Sequence, residues 1–255
     1  MAGPGGGGTT TATTTMPPST SRHFLAASIQ RVRFLPVPAA ACVVDDQDAS
    51  SLPVALAVWS EDAQRHALTL GDVVAVGPSS EMARFDVRGM APHRGAVADL
   101  RAARCGGAVV VAAAGSAGGV TLLRLGLGAL PAGADAADLE PPQMDVDAEG
   151  FLRPAIELPG GAPVASADLH GPTGQLLAAG GDGALVVAPA GGGSAGQAPA
   201  YREGVRGWGG FTQARWVDSH TFATVSVLEV AVFSRACARA TAAERPTCPL
   251  PPPPP

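Results

Sequence analysis

The side chains able to do chemistry are thinly spread along these 255 residues. The four Cys (Cys42, Cys105, Cys237, Cys248) stand far apart with no C-x-x-C spacing. That argues against a zinc site or a disulfide framework and fits a reducing compartment. The five His (His23, His66, His93, His170, His220) are single and scattered, which reads as solvated or structural imidazole. Asp99 and Asp168 are placed more tellingly, each inside an Ala-Asp-Leu segment and at what the alignment below makes equivalent positions. Two convergent carboxylates could serve a hydrolase, but that chemistry also needs a nucleophile–base pair or a second acid, and none accompanies them. They are read as solvent-facing or turn-bracing groups. No catalytic, cofactor-binding or metal-ligating residue is assigned, and the protein-binding residues stay unassigned.

Two weaker motifs lead nowhere. The stretch 127–161 carries Asp135, Asp138, Glu140, Asp145, Asp147 and Glu149 against one Arg, Arg153. The carboxylates lack the D-x-[DN]-x-[DN]-G spacing of a calcium loop, so the segment reads as a solvated acidic insertion. Gly191, Gly193 and Gly196 match G-x-G-x-x-G. No helix pattern follows them, so a dinucleotide site is not implied. All 17 basic residues are Arg, the net charge is −5, and no basic stripe stands out, which weighs against direct nucleic-acid binding. The N-terminus has neither a basic nor an apolar signal region. The uncharged run from Gly106 to Leu123 is long enough for a membrane helix but is broken at Gly115-Ser-Ala-Gly-Gly119, so it reads as two strands and a turn rather than a span.

The elements that must carry these residues are strands. A short apolar run, a Gly-rich turn and a second apolar run recur four times. The clearest copy is Gln175 to Val187, turning at Gly181-Asp182-Gly183, where Gly and Asp tolerate the positive φ of a tight hairpin. Unit one has strands at Ile29–Leu35, Val54–Trp59 and Met82–Val87, with 63–81 a loop holding at most a short strand at Val73–Val76. Unit two has Gly95–Leu100, Ala108–Ala113 and Val120–Leu125. Unit three has Val164–Leu169 and the quoted hairpin. Unit four has Phe211–Val217, Thr221–Ser226 and Leu228–Phe233. Residues 1–21 are Gly/Thr/Pro low complexity and 236–255 a Pro-rich tail, both expected to be disordered, leaving 22–235 as the folded body.

The first strands align as Arg31-Val-Arg-Phe34, Val97-Ala-Asp-Leu100, Ser166-Ala-Asp-Leu169 and Gln213-Ala-Arg-Trp216. Each ends in a large apolar residue preceded by a charge. Alternation then puts the apolar side chain between sheets and the charge toward solvent. Repeated β-hairpin units point to propeller blades. The chain resembles WD-repeat propellers, with His93 four residues before Val97 where their Gly-His stands, though no Trp-Asp closes a third strand. Within them it resembles the WD-repeat nucleoporins of the forty-three-kilodalton type, in plant and algal form. The resemblance spans roughly 22–226. It rests on His23-Phe24 with Val32-Arg-Phe-Leu-Pro36, Ala55-Leu-Ala-Val-Trp-Ser-Glu-Asp62, Val164-Ala-Ser-Ala-Asp-Leu169, Tyr201-Arg202, and Ala214-Arg-Trp-Val217 with Thr221-Phe-Ala-Thr224.

That resemblance implies a non-enzymatic scaffold without a cofactor, at the nuclear envelope in the Y-shaped outer ring of the nuclear pore. It would serve nucleocytoplasmic transport by docking on helical-solenoid nucleoporins, with no direct nucleic-acid contact and no membrane insertion. A WD-like adaptor elsewhere, such as a ubiquitin-ligase substrate receptor, is the alternative. Seven blades of ~40 residues need about 280 residues. Four units fill this chain, so the expectation is an all-β, incomplete, about four-bladed propeller, from a truncated gene model or completed by donated blades.

Overall fold

The computed structural model describes residues 27–36, 43–44, 49–76, 82–126, 144–190, 201–204, 210–226 and 230–234. The segments 1–21, 191–196 and 236–255, the pair His23-Phe24, and residues 127–143 of the acidic stretch with Asp135, Asp138 and Glu140 lie outside the described residues. Within them the fold is all-β, in four antiparallel sheets that follow one another along the chain. Sheet 1 holds β1 (Ala27–Phe34), β2 (Val43–Val44), β3 (Ala49–Ser60), β4 (Arg65–Val76) and β5 (Met82–His93), in the order β1-β3-β4-β5 with β2 also on β3. Sheet 2 holds β6 (Val97–Cys105), β7 (Ala108–Gly115), β8 (Gly119–Gly126) and β9 (Pro154–Glu157). Sheet 3 holds β10 (Val164–His170), β11 (Gln175–Gly180), β12 (Ala184–Pro189) and β13 (Tyr201–Gly204). Sheet 4 holds β14 (Phe211–Trp216), β15 (Thr221–Ser226) and β16 (Val230–Ser234).

The sheets stack face to face with their first strands β1, β6, β10 and β14 side by side, which is the arrangement of propeller blades. Three cores lie between them. Ala55, Ala57, Leu68 and Leu70 of sheet 1 meet Leu100, Val109, Val111 and Ala113 of sheet 2. Val110, Ala112 and Ala114 meet Ala167, Leu169, Leu176 and Val186 of sheet 3. Leu177, Ala179, Leu185 and Val187 meet Phe211, Ala214 and Phe222 of sheet 4. β7 and β11 are thus covered on both faces, which is why they read as unbroken apolar runs instead of alternating ones.

The hairpin read from Gly181-Asp182-Gly183 is present. Gly183 adopts φ 87°, and the Asp182 Oδ1 accepts from Ala184 N at 3.0 Å, closing the turn. The run Gly106–Leu123 is two strands and a turn, and no helix among the described residues is long and apolar enough to cross a membrane.

Two expectations need correcting. Residues 63–81 are not mainly loop: β4 spans Arg65–Val76 and pairs along its length with β3 and β5. Its Gly71 sits at a register shift, covered by the Phe85 ring, so a residue that breaks most strands is accommodated here. The insertion 127–161 is not acidic loop throughout either. From Met144 it forms a small turn bridged between Val146 and Leu152, then β9, which closes sheet 2 against β8. Leu152 and Leu158 are buried, so apolar residues help to anchor this segment.

Candidate functional site

Each of the four inner strands carries the same irregularity. The register shifts between Ile29 and Arg31, Val97 and Asp99, Val164 and Ser166, and Phe211 and Gln213. A β-bulge of this kind re-aims the following side chain. It also sets the true alignment of the repeats. Counting from the bulge, Arg31, Asp99, Ser166 and Gln213 stand level. Arg33, Arg101, Asp168 and Arg215 form the next level, two residues on. The equivalence of Asp99 with Asp168 read from the sequence is therefore off by two residues, because the bulge is invisible in an Ala-Asp-Leu match.

These two levels bind the blades together. Arg31 Nε donates to Ala98 O at 3.0 Å and Arg33 Nε to Leu100 O at 2.6 Å, joining sheet 1 to sheet 2. Ser166 Oγ donates to Asp99 Oδ2 at 2.9 Å, joining sheet 2 to sheet 3. The same hydroxyl accepts from Ala214 N at 3.2 Å and from Arg215 Nη1 at 2.7 Å. Arg215 Nη1 lies 3.1 Å from Asp99 Oδ2, so one guanidinium on sheet 4 spans back to sheet 2. Arg101 Nε pairs with Asp99 Oδ1 at 3.2 Å. Asp168 Oδ2 accepts from Trp216 N at 2.8 Å.

Neither aspartate faces open solvent, contrary to the alternation argument. Asp99 and Ser166 are buried, and Asp168 is mostly so. Burial pushes the Asp168 carboxyl above the usual carboxylate range, opposed by the Trp216 and Leu169 amides and the nearby Arg101, and reinforced by Asp99. The cluster superficially offers a hydroxyl beside a carboxylate. However, the Ser166 hydroxyl is engaged with sheets 2 and 4, and the residue has no exposed surface. What this arrangement does chemically is brace three adjacent blades.

His23, Cys42, Cys237 and Cys248 lie outside the described residues, and among the described ones the other singled-out residues do not gather. His93 is buried at the end of β5, its Nδ1 3.0 Å from Gly95 O and its ring over Gly115; burial holds its pKa below the usual imidazole value. His66, directly across from His93, packs on Trp59 with ring centroids 4.7 Å apart. His170 lies near Trp216, and Cys105 is a free, half-buried thiol. No group of three or more His, Cys, Asp or Glu side chains able to hold a metal occurs among the described residues. From the acidic stretch, Asp147 and Glu149 clamp Arg94 at 2.7 Å each, and Arg94 lies over the Phe151 ring. Those carboxylates therefore pin the 146–152 turn to the β5–β6 connection.

Sequence reasoning missed Ser166, Arg101 and Arg215 as members of one cluster. The signal that could have found them is the shared apolar residue two places before the polar one (Ile29, Val97, Val164, Phe211), which marks the bulge.

No protein-family model matches the sequence, and no curated protein matches it. Solved structures do. One is the WD40 domain of SCAP from fission yeast, at 9% identity and TM-score 0.44, covering 81% of this chain and 44% of that one. Another is the Cps50 (Swd1) β-propeller domain of Myceliophteria thermophila, at 11% identity and TM-score 0.46, covering 86% of this chain and 57% of that one. A third is a chain of the mitotic checkpoint complex, at 12% identity and TM-score 0.37, covering 83% of this chain and 68% of that one. This chain spans about half the length of the first two. The blade assignment itself rests on the sheet order and the inner-strand joints described above.

Proposed function

We propose that the protein is a non-enzymatic docking scaffold, and that it serves in the outer ring of the nuclear pore at the nuclear envelope, bound to helical-solenoid nucleoporins. The observation that carries the scaffold reading is the engagement of Asp99, Ser166, Asp168 and Arg215 in inter-blade bonds. The polar groups best placed for catalysis are occupied in holding sheets together, and broad sheet faces are what remains to act on other molecules. Blade scaffolds recognise partners by such surfaces.

The nuclear-pore assignment is supported by the resemblance given in the sequence analysis. Its segments fall on strands that build the blade joints: Val32-Arg-Phe34 on β1, Val164 to Leu169 on β10 and Ala214-Arg-Trp216 on β14, with Ala55 to Ser60 on β3 beside β1. A fluorescently tagged copy in an algal or plant cell is expected at the nuclear rim, and affinity purification is expected to bring down Y-complex subunits. Recovery of a ubiquitin-ligase scaffold instead, with diffuse fluorescence, would replace this reading by the substrate-receptor alternative.

A further inference from the structure

The series of blades ends in two apolar faces, and they are of opposite kind. Residues directly across an antiparallel ladder share a face. On sheet 1, Val32, Leu56, Thr69 and Met90 form one row and Phe34, Val54, Gly71 and Val87 the next. This is the face turned away from sheet 2, which is met instead by Ala55, Ala57, Leu68 and Leu70. Its floor is buried, but its flanking large residues stand in solvent: Phe34 is 61% exposed and Met90 62%, with Ile29, Val32, Leu52 and Val87 also exposed.

On sheet 4, Arg215, Ala223 and Val232 form a row beside Gln213, Val225 and Val230. Val230 and Val232 are each 66% exposed. The aromatic side of this sheet, with Phe211, Trp216 and Phe222, is turned the other way, onto Leu177, Ala179, Leu185 and Val187 of sheet 3.

The joint between sheets 3 and 4 thus sets a large-residue face on a face of smaller aliphatic residues. The two end faces repeat that division: large Ile29, Phe34, Leu52 and Met90 on sheet 1, small Ala223, Val225, Val230 and Val232 on sheet 4. A second observation points the same way. Three of the four residues level with the bulge bridge to the next inner strand: Arg31 to Ala98 O, Asp99 to Ser166, and Ser166 to Ala214 N. The fourth, Gln213, is exposed at the level where its counterparts reach across, with a side-chain amide able to bond a strand backbone.

We propose that a second copy of this chain supplies that strand, its β1 and sheet 1 face docking on the sheet 4 face, head to tail, and that two copies close on each other through two such joints. Size favours closure over a single contact. Three strands about 4.8 Å apart and six residues of about 3.3 Å rise give a face of roughly 300 Å² in plane. One joint between such faces removes about 600 Å² in total, in the range of incidental contacts, whereas two reach about 1,200 Å², the lower end of specific interfaces. Eight blades lie within the known range for propellers, and a head-to-tail contact between identical chains is stable as a particle only when it closes.

The test is the solution mass of the 255-residue chain across a dilution series, by light scattering after size exclusion, with no nucleoporin present, so that its outcome is separate from that of the docking role above. The expected mass is twice the 25.3 kDa of one chain. Phe34→Glu and Val232→Glu, on opposite faces, are each expected to halve it, while Val146→Glu, on neither face, leaves it doubled. Circular dichroism checks that β content is kept; if either glutamate variant loses it, Met90→Gln and Val230→Thr replace the pair. A single-chain mass throughout overturns the proposal and leaves the faces to further blades or an unlike partner. So does a doubled mass sensitive to one face alone, which would mean a like-on-like contact, and so does growth without limit, which would mean no closure.

Discussion

Asp99 is the residue on which most of the inner-strand bracing converges. It takes the Ser166 hydroxyl and lies within ion-pair distance of both Arg101 and Arg215. A carboxylate removed from such a site strands the groups it held, and that loss exceeds the net worth of the bonds. Asp99→Ala is expected to cost about 2–3 kcal/mol, the arginines being partly solvated and able to recover some hydration. Urea denaturation measures it; a change below about 0.5 kcal/mol, the range of ordinary surface substitutions, would show that the cluster braces nothing. Asp168 differs in sign. Burial raises its folded pKa above that of the unfolded chain, so the native state holds the proton more tightly. Its contribution is then full at low pH and is lost as pH rises from the unfolded value through the folded one. Asp168→Asn keeps an oxygen for Trp216 N and removes that titration. The variant is expected to gain on the parent as pH rises through the acid range and to hold a constant lead above it. Parallel stability curves from pH 3 to 7 would contradict this.

At the scale of the elements, turns decide whether blades can approach. Gly118, between β7 and β8, has φ 95°, and a Cβ there would come 2.5 Å from Gly161 O, a backbone atom that cannot swing aside. Its own carbonyl also accepts from Leu158 N at 3.0 Å, tying the turn to the segment that follows β9. Gly118→Ala is expected to cost about 2–3 kcal/mol through strain and clash together. Gly107, in the β6–β7 turn, has open space around it and no positive φ. Gly107→Ala is therefore expected to be neutral or to stabilise by up to about 1 kcal/mol. Thermal melts of the pair separate the two cases. These turns also show what can be read without coordinates. The hairpin at 181–183 was legible because Gly-Asp-Gly between apolar runs has few other uses. β4 was not, because Gly71-Asp72 in its middle reads as a stop, and only the register shift and the overlying Phe85 ring make it a strand. β9 was hidden by its carboxylate-rich approach and by Pro154, although Leu152 and Leu158 hold it in place. The inner-strand cluster was half legible. Asp99 and Asp168 stood out by type, but the bulge that sets Asp99 level with Ser166 shows in the sequence only as an apolar residue two places before the polar one, a faint mark that the repeated Ala-Asp-Leu overrides.

For the whole molecule, the order of the blades sets the distribution of stability. In a linear series of packed units each gains mainly from its neighbours, so inner units are held from two sides and end units from one. β7 shows the inner case: Val109 to Ala114 have no exposed surface, three facing sheet 1 and three facing sheet 3. β11 is alike, with Leu176 and Ala178 toward sheet 2 and Leu177 and Ala179 toward sheet 4. β16 shows the end case, with Val230 and Val232 largely in solvent. At about 25 cal/mol per Å² of apolar surface, that difference amounts to several kcal/mol across a strand. Local opening follows such differences. Amide exchange in the native protein is therefore expected to be slowest in β7 and β11 and faster by orders of magnitude in β16. Closure through the end faces would alter this in a defined way, since β16 would then lie in a joint, and its exchange would slow on raising protein concentration while that of β7 stayed constant. Equal protection of β7 and β16 in the dilute single chain would mean that the blades unfold as one unit, and that the nearest-neighbour account of their stability is mistaken.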